Sequence, residues 1–388
     1  MTITRGPQAF PRTEYLRRLA GVRSEMARRE IDSLVVTDGS DITYLTGYTA
    51  KTTPQGLVIS IHREEPTFIV RKQDVPAGVH QTFLERDNVI GFPEALMGNP
   101  DKDGYDAVID FLFDVGLSNR GVGLQLGVLS AHSAGKFRAR LPKATLVDCT
   151  KLVTWIRTVK SNLEISVMKE AAAITDAGVM RAAEVIRAGV READAVAEIV
   201  GTLIRGANGN PGTAIASPFL CSSPRTGTSH VRWSEDVFRR GSQINLEIAG
   251  VRHGYTVPIC RTFSIGQPSE RLHRVHEAQL AGLEAALATV RAGRTCNDVA
   301  QTIYRTIEKL GVKKESRCGY AVGIDWMELT ASFREGDMTV LQPNMTFHQH
   351  LGNWVDDEFG YVISETYRVT ESGVEVLTSS PRRLFQLD

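Results

Sequence analysis

Glu247 and Glu365 are the residues whose placement most demands chemistry, because each carboxylate interrupts an apolar, strand-like segment. Buried without a partner, such a group costs several kcal/mol or more. Each must therefore meet a structural cation, for which Arg261 and Arg368 are the nearby choices, or a cation brought by a ligand. His348 and His350 stand two residues apart, so on a strand they share a face. Either or both can look into a site, and His348 is the stronger choice. Trp233, Tyr320, Trp326, Phe347 and Trp354 are candidate walls offering cation–π contact, with plain core packing the alternative for each. The five cysteines, Cys149, Cys221, Cys260, Cys296 and Cys318, are odd in number and form no C-x-x-C pair. That excludes a disulfide framework and a zinc knuckle. Cys260 and Cys318 lie beside the same strands and read as small buried hydrophobes.

The elements that must position these groups follow from length and periodicity. A chain of 388 residues exceeds one ordinary core and predicts two domains, 1–155 and 156–388. Lys+Arg and Asp+Glu balance at 45 each, so no global field draws the protein to nucleic acid or an anionic membrane. A small-molecule partner fits this balance better. No stretch approaches the roughly 20 apolar residues that span a bilayer, and the opening residues carry no apolar signal region. The cytoplasm is the expected compartment.

In the first domain Tyr15, Leu19, Val22 and Met26 repeat at helical spacing. Strands follow at 34–36, 57–61 and 67–70, an aromatic turn at Tyr44–Tyr48, and helices at 105–115 and 131–141 before a short strand at 145–147. The reading is an α/β domain. Ser161-x-x-Glu164 then has capping-box form, opening a long helix that Gly189 is placed to close. A helix at 193–204 and strands at 219–223, 243–249 and 255–265 come next. Two long helices, 270–290 and 296–310, precede strands at 339–350, 361–370 and 374–377. Helices gathered on one side of a largely antiparallel sheet make the second domain α+β.

Several of these segments, in order, resemble the creatinase/aminopeptidase P ("pita-bread") family. Lys160-Ser161-x-x-Glu164 is similar to its "K-S-x-x-E" entry, and Glu247-Ile-Ala-Gly250, Tyr255 and Arg261-Thr262 to its "D-x-G … Y … D-x-x-R-T" hairpin. Gly319–Gly323 stands where the peptidases have "G-H-G-I-G", and Pro343–His350 and Ile363-Ser-Glu365 match the last two ligand-bearing strands. The resemblance implies a creatinase-like N-terminal domain, a pita-bread catalytic domain and a homodimer.

It also implies an active-site role for His230, which precedes a basic-Gly segment and a strand. Metal-dependent members hold two divalent ions with Asp, Asp, His, Glu and Glu. Those positions here are Glu247, Pro258, Tyr320, His350 and Glu365. Proline offers no side-chain donor and tyrosine is a poor ligand for such ions. The expectation is therefore the metal-free branch, with no cofactor.

Met345-Thr-Phe-His348, Trp354, Ile363–Thr366 and Trp326 with Glu328 look like the ectoine-hydrolase branch, although the loop at Gly323–Glu328 is shorter than is usual there. That branch implies hydrolysis of a non-peptide C–N bond in a cyclic amidine. Glu247 and Glu365 would grip the substrate nitrogens and His230 would move the proton, or Glu247 would attack directly. Tyr255, Tyr320, Trp326, His348, His350, Trp354 and Trp233 would line the pocket, and Lys51, Arg71 and Lys72 could reach a substrate carboxylate from the first domain. The alternatives are a non-catalytic binding module, a one-metal Xaa-Pro-type peptidase, or a creatinase-like enzyme with another substrate.

Overall fold

The spacing of Tyr15, Leu19, Val22 and Met26 produces helix α1 (Arg12–Arg28), which buries all four completely. The computed structural model describes residues 4–50, 52–355 and 358–388. They fall into two units, Met1–Arg157 and Thr158–Asp388.

In the first unit α2 (Gly39–Thr46), α3 (Val75–Gln81), α4 (Gly104–Asp114), α5 (Ala131–Arg140) and α6 (Leu152–Ile156) accompany α1 around one sheet. Its strands are β1 (Ser33–Val36), β2 (Gly56–Ser60), β3 (Thr67–Arg71), β4 (Val89–Phe92), β5 (Gly121–Leu124) and β6 (Thr145–Asp148). They pair in the order β4-β3-β2-β1-β5-β6. The segment around Tyr44 is a helix rather than a turn. Asp38 caps it by accepting from the Ser40 and Asp41 N–H groups, and Gly47 ends it at φ 87°.

The second unit begins with α7 (Asn162–Val185), where the Ser161–Glu164 capping box is formed in both directions. The helix stops at Val185, short of Gly189, which instead turns the chain at φ 88° into α8 (Glu192–Arg205). Then come β7 (Phe219–Ser222), β8 (Gln243–Arg252), β9 (Tyr255–Ile265), α9 (Glu270–Thr289) and α10 (Cys296–Lys309). Strands β10 (Tyr320–Ala321), β11 (Thr346–Val355), β12 (Phe359–Val369), β13 (Val374–Val376) and β14 (Phe385–Leu387) complete it. The strand expected from 339 starts only at Thr346, because Asn344 adopts φ 66° and turns the chain just before it. Two four-stranded sheets result, β14-β9-β8-β7 and β10-β11-β12-β13. No helix among the described residues is long and apolar enough to cross a membrane.

Each sheet has its own core. Ile244, Leu246 and Ile248 of β8 and Ile259, Phe263 and Ile265 of β9 pack on Ile174, Val179, Ile199 and Leu203 of α7 and α8. Phe347 and Leu351 of β11 and Tyr361, Ile363 and Tyr367 of β12 pack on α9 and α10. A fully buried side chain of this kind stabilises by roughly 1.5–3 kcal/mol. Side chains alternate along a strand, so the intervening residues point away from the helices. Glu247, Cys260, His348 and Ser364 all belong to that second set. The sheets meet where β9 runs beside β12, and the seam includes side-chain bonds to backbone. Cys260 N–H donates to Ser364 Oγ at 2.6 Å, Thr262 Oγ1 to the Val362 carbonyl at 2.9 Å, and Thr366 Oγ1 to the Pro258 carbonyl at 2.7 Å.

Candidate active site

Antiparallel pairing of β8 with β9 sets Glu247 directly opposite Cys260. Across the seam stands His348, and the nearest donor atoms of Glu247, Cys260 and His348 all lie within 4.8 Å of one another. Burial raises the Glu247 carboxyl to about 7, against smaller easing by the Cys260 thiol and the Trp326 indole. No ion pair forms at Glu247 among the described residues, and no cation figures in its shift. The Cys260 thiol is itself pushed well above its ordinary value, mainly by burial and then by Glu247.

His348 is fixed by a chain of hydrogen bonds. Trp326 Nε1–H donates to the Tyr320 hydroxyl at 3.0 Å, which meets His348 Nδ1 at 3.0 Å. His348 Nε2 meets Ser364 Oγ at 2.7 Å. Burial, with Arg261 adding to it, holds the imidazole down at about 3, so the ring is neutral. Indole can only donate, so the Tyr320 O–H turns toward Nδ1 and the His348 proton sits on Nε2, facing Ser364.

A cleft beside this group is lined by Phe219, His230, Glu247, Trp354 and Val362. His230 is exposed at its mouth, at φ 58°, with its ring centroid 5.3 Å from that of Phe219 in an edge-on arrangement. Glu192, fully buried on α8, fastens the chain on both sides of His230. It accepts from Ser222 N–H at 2.9 Å, Arg225 at 2.5 Å and Ser234 N–H at 2.8 Å. On β11, His350 lies between His348, at 5.5 Å, and Trp354, whose ring stacks on it at 5.9 Å. Gly352 makes room for this pair: a Cβ there would come within 2.1 Å of Trp354 and 2.9 Å of His350. His350 Nε2 is buried and has no hydrogen-bond partner among the described residues.

The structure thus gathers Glu247, His230, Tyr320, Trp326, His348, His350 and Trp354 in one region. It does not bring Glu365, Tyr255 or Trp233 there. Glu365 shares the helix-facing row of β12 with Ile363 and Tyr367. It is bound by Arg261 at 2.7 Å, Arg382 at 3.2 Å and Thr378 at 2.6 Å, which is the structural ion pair weighed as its alternative role. Tyr255 sits on the helix-facing row of β9 and donates to Glu164 Oε1 at 2.8 Å. Trp233 packs against the core beneath α8, beside Val196, Val200 and Ile215. Ser364, one residue from Glu365, reaches the site in its place, and so does Cys260. The alternation of Ile363 and Tyr367 was the sequence signal that Glu365 shares their face. Lys51 lies outside the described residues, and Arg71 is ion-paired with Glu94.

The donors do not fit a two-ion centre. Of the five corresponding positions, Pro258 has no side-chain donor, Glu365 is held by Arg261, and the Tyr320 hydroxyl is committed to the Trp326–His348 chain. Among the described residues the one cluster of three donor side chains is Glu247, Cys260 and His348. A single ion there would have to free a His348 nitrogen from Tyr320 or Ser364 and ionise a thiol that its surroundings keep protonated.

Comparison with known proteins agrees with this architecture. Residues 166–371 match the model of metallopeptidase family M24, and residues 18–159 match the creatinase/prolidase N-terminal domain. The chain is 65% identical to the hydrolase/peptidase y4tL of Sinorhizobium fredii, over 99% of each chain. It is 34% identical to ectoine hydrolase of Halomonas elongata, covering 97% of this chain and 98% of that one. The X-Pro aminopeptidase of Thermotoga maritima superposes with a TM-score of 0.83 at 22% identity, over 95% of this chain and 99% of that one.

Proposed function

Since this chain belongs to metallopeptidase family M24 and carries the creatinase/prolidase N-terminal domain, we propose that it is a hydrolase that cleaves a non-peptide C–N bond of a small cationic amidine without a metal ion. The leading reaction is ring opening of ectoine or 5-hydroxyectoine, which for ectoine yields N-acetyl-2,4-diaminobutyrate.

One observation carries this reading: Glu247 is a desolvated carboxyl, raised to about 7, with no cationic partner among the described residues. An amidinium entering the cleft supplies the missing charge and draws Glu247 into its ionised form. Trp326 and Trp354 offer faces on which a planar cation can rest. With Glu365 held elsewhere, a single carboxylate does the gripping. Addition of water to the amidinium carbon gives a tetrahedral intermediate. His230 at the mouth takes the proton from water and returns one to the departing ring nitrogen as the C–N bond breaks. In a variant of this path Glu247 itself adds to the carbon, the ring nitrogen leaves with a proton as the C–N bond breaks, and water then cleaves the resulting acyl imidate to the amide and the free carboxylate. The 34% identity to ectoine hydrolase supports the choice of substrate.

A second reading, a peptidase working through one metal ion, is favoured by the closeness of Glu247, Cys260 and His348. One experiment addresses both. Chelator-treated protein is incubated with ectoine and followed by NMR, with Glu247→Gln alongside. Loss of the ring signals, growth of acetylated diaminobutyrate and a silent variant are expected. Inertness toward ectoine and hydroxyectoine would remove the named substrates, and cleavage of an Xaa-Pro dipeptide appearing only on metal addition would establish the peptidase.

A further inference from the structure

The proposed reaction leaves His348 unused, although it is fully buried and both of its ring nitrogens are hydrogen-bonded. Two rings also meet it edge to face, Tyr320 at 5.3 Å and 81° and Trp326 at 6.4 Å and 82°, so the imidazole cannot turn. A group fixed on every side and sealed from solvent acts through the residues at the two ends of its hydrogen-bond chain.

One end is Trp326, in the loop that follows β10. Its N–H donates to Tyr320, which is the cross-strand partner of His348 on β11. The other end is Cys260. Ser364 Oγ accepts from His348 Nε2–H at 2.7 Å and from the Cys260 backbone N–H at 2.6 Å, which occupies both lone pairs of the hydroxyl. The second of these bonds decides the local pairing. Because the Cys260 N–H is given across the seam, it does not enter the β8–β9 ladder, and Cys260 and Glu247 oppose each other as a non-hydrogen-bonded pair. Side chains approach most closely in pairs of that kind, with Cα atoms about 4.5 Å apart. The chain Trp326–Tyr320–His348–Ser364–Cys260 thus begins at an aromatic face offered to a cation and ends beside the carboxylate that balances it.

We infer that His348 is a positioning residue: as the middle link of this chain it sets how far the Trp326 face lies from the Glu247 carboxylate. The inference rests on the hydrolase reading above and adds to it the device that holds the two contacts of the cation at a fixed spacing. His348, Ser364 and Cys260 are all fully buried, so no bulk water stands ready to replace a lost bond. Spacing of this kind matters to rate, since a misplacement of about 1 Å can cost about a hundredfold.

The test is a double-mutant cycle on the intact protein, with Tyr320→Phe, Ser364→Ala and the two combined, read as kcat and KM for ectoine and as the denaturant midpoint. The two substitutions remove the partners of opposite nitrogens of His348. Each alone is expected to lower kcat about tenfold or more with KM within about threefold of wild type. The combined variant should be no slower than the slower single one, since a chain cut once is already cut. Losses that multiply overturn the inference and leave the hydrolase reading intact. So does a kcat per folded molecule at the wild-type level with only the denaturant midpoint lowered. NMR of the imidazole nitrogens on the wild type gives a check that no variant's folding can disturb. A neutral His348 with its proton on Nε2 is expected, and an imidazolium or an Nδ1–H ring overturns the chain. Ectoine left intact by the wild type overturns the hydrolase reading, and a positioning role in that reaction with it.

Discussion

Ser364 and Glu365 are adjacent on β12 and serve opposite faces of it: Ser364 Oγ meets His348 Nε2 at 2.7 Å, while Glu365 Oε1 meets Arg261 Nη2 at 2.7 Å. Arg261 is fully buried and also donates to the Ser364, Ser380 and Pro381 carbonyls. Removing one member of such a buried pair strands the other charge, at a cost of about 3–5 kcal/mol. Glu365→Gln should therefore unfold at a markedly lower denaturant concentration, with kcat per folded molecule within a few-fold of wild type. Denaturant unfolding alongside kinetics checks this, and a variant of normal stability with collapsed kcat would return Glu365 to the active site.

The pH profile should follow Glu247. Its carboxyl, lifted from 4.5 to about 7 by burial, is neutral below that point and then cannot balance a cationic substrate. For an amidine that stays protonated, kcat/KM is expected to rise with pH and level off above about 7. Stability runs the other way. A folded-state value above the unfolded one means that the stabilising share of this group is present at low pH and is lost as pH climbs through about 7. Glu247→Gln should thus be inactive yet gain melting temperature over wild type at about pH 8, with little gain at about pH 5. A gain of the same size at both pH values would count against a desolvated carboxyl.

Chelation provides a direct comparison of the two catalytic readings. The metal-free reading predicts that dialysis against a strong chelator leaves kcat unchanged and that elemental analysis finds no stoichiometric transition metal. Restoration of lost activity by zinc, manganese or cobalt would instead place an ion among Glu247, Cys260 and His348.

Glu192 offers a test of positioning at a distance. It touches nothing in the cleft, but its carboxylate anchors Ser222, Arg225 and Ser234 on either side of His230. Charge-assisted bonds of this kind are worth about 1.5–3 kcal/mol each. Glu192→Ala is expected to lower kcat by tenfold or more, to speed amide hydrogen exchange across 223–234, and to shift the pH profile of kcat. Glu192→Gln, which keeps part of the network, should recover a portion of each. Faster exchange with an unaltered kcat and pH profile would show that the bonds are structural only.

Much of this was legible in the residues. The helical face of α1, the Ser161–Glu164 capping box and the hairpin of β8 and β9 could be read from spacing, because local chemistry determines them. Glu247, Tyr320, Trp326, His348 and Trp354 could be placed together by order along a familiar pattern. Glu365 and Tyr255 were misplaced for one shared reason. Both lie in the right strand but on the wrong row, and a shift of one position reverses the face. Trp233 was assigned by type alone, and a tryptophan near a site is as ready to fill a core. Ser364 and Cys260 were hidden differently. Their importance comes from contacts across the seam, and no local pattern announces a partner 104 residues away.

The seam has a consequence for how this site could be tuned. Glu247 and Cys260 ride on a hairpin backed by α7 and α8, whereas His348 and Ser364 ride on another backed by α9 and α10. Between the hairpins run discrete bonds of Ser364, Thr262 and Thr366 and the Arg261–Glu365 ion pair, with no continuous backbone ladder. The working gap between carboxylate and imidazole is therefore a tolerance between two separately built halves. Repacking either interior, far from any ligand, would widen or narrow that gap and so change the girth of molecule admitted while every reacting side chain stays the same.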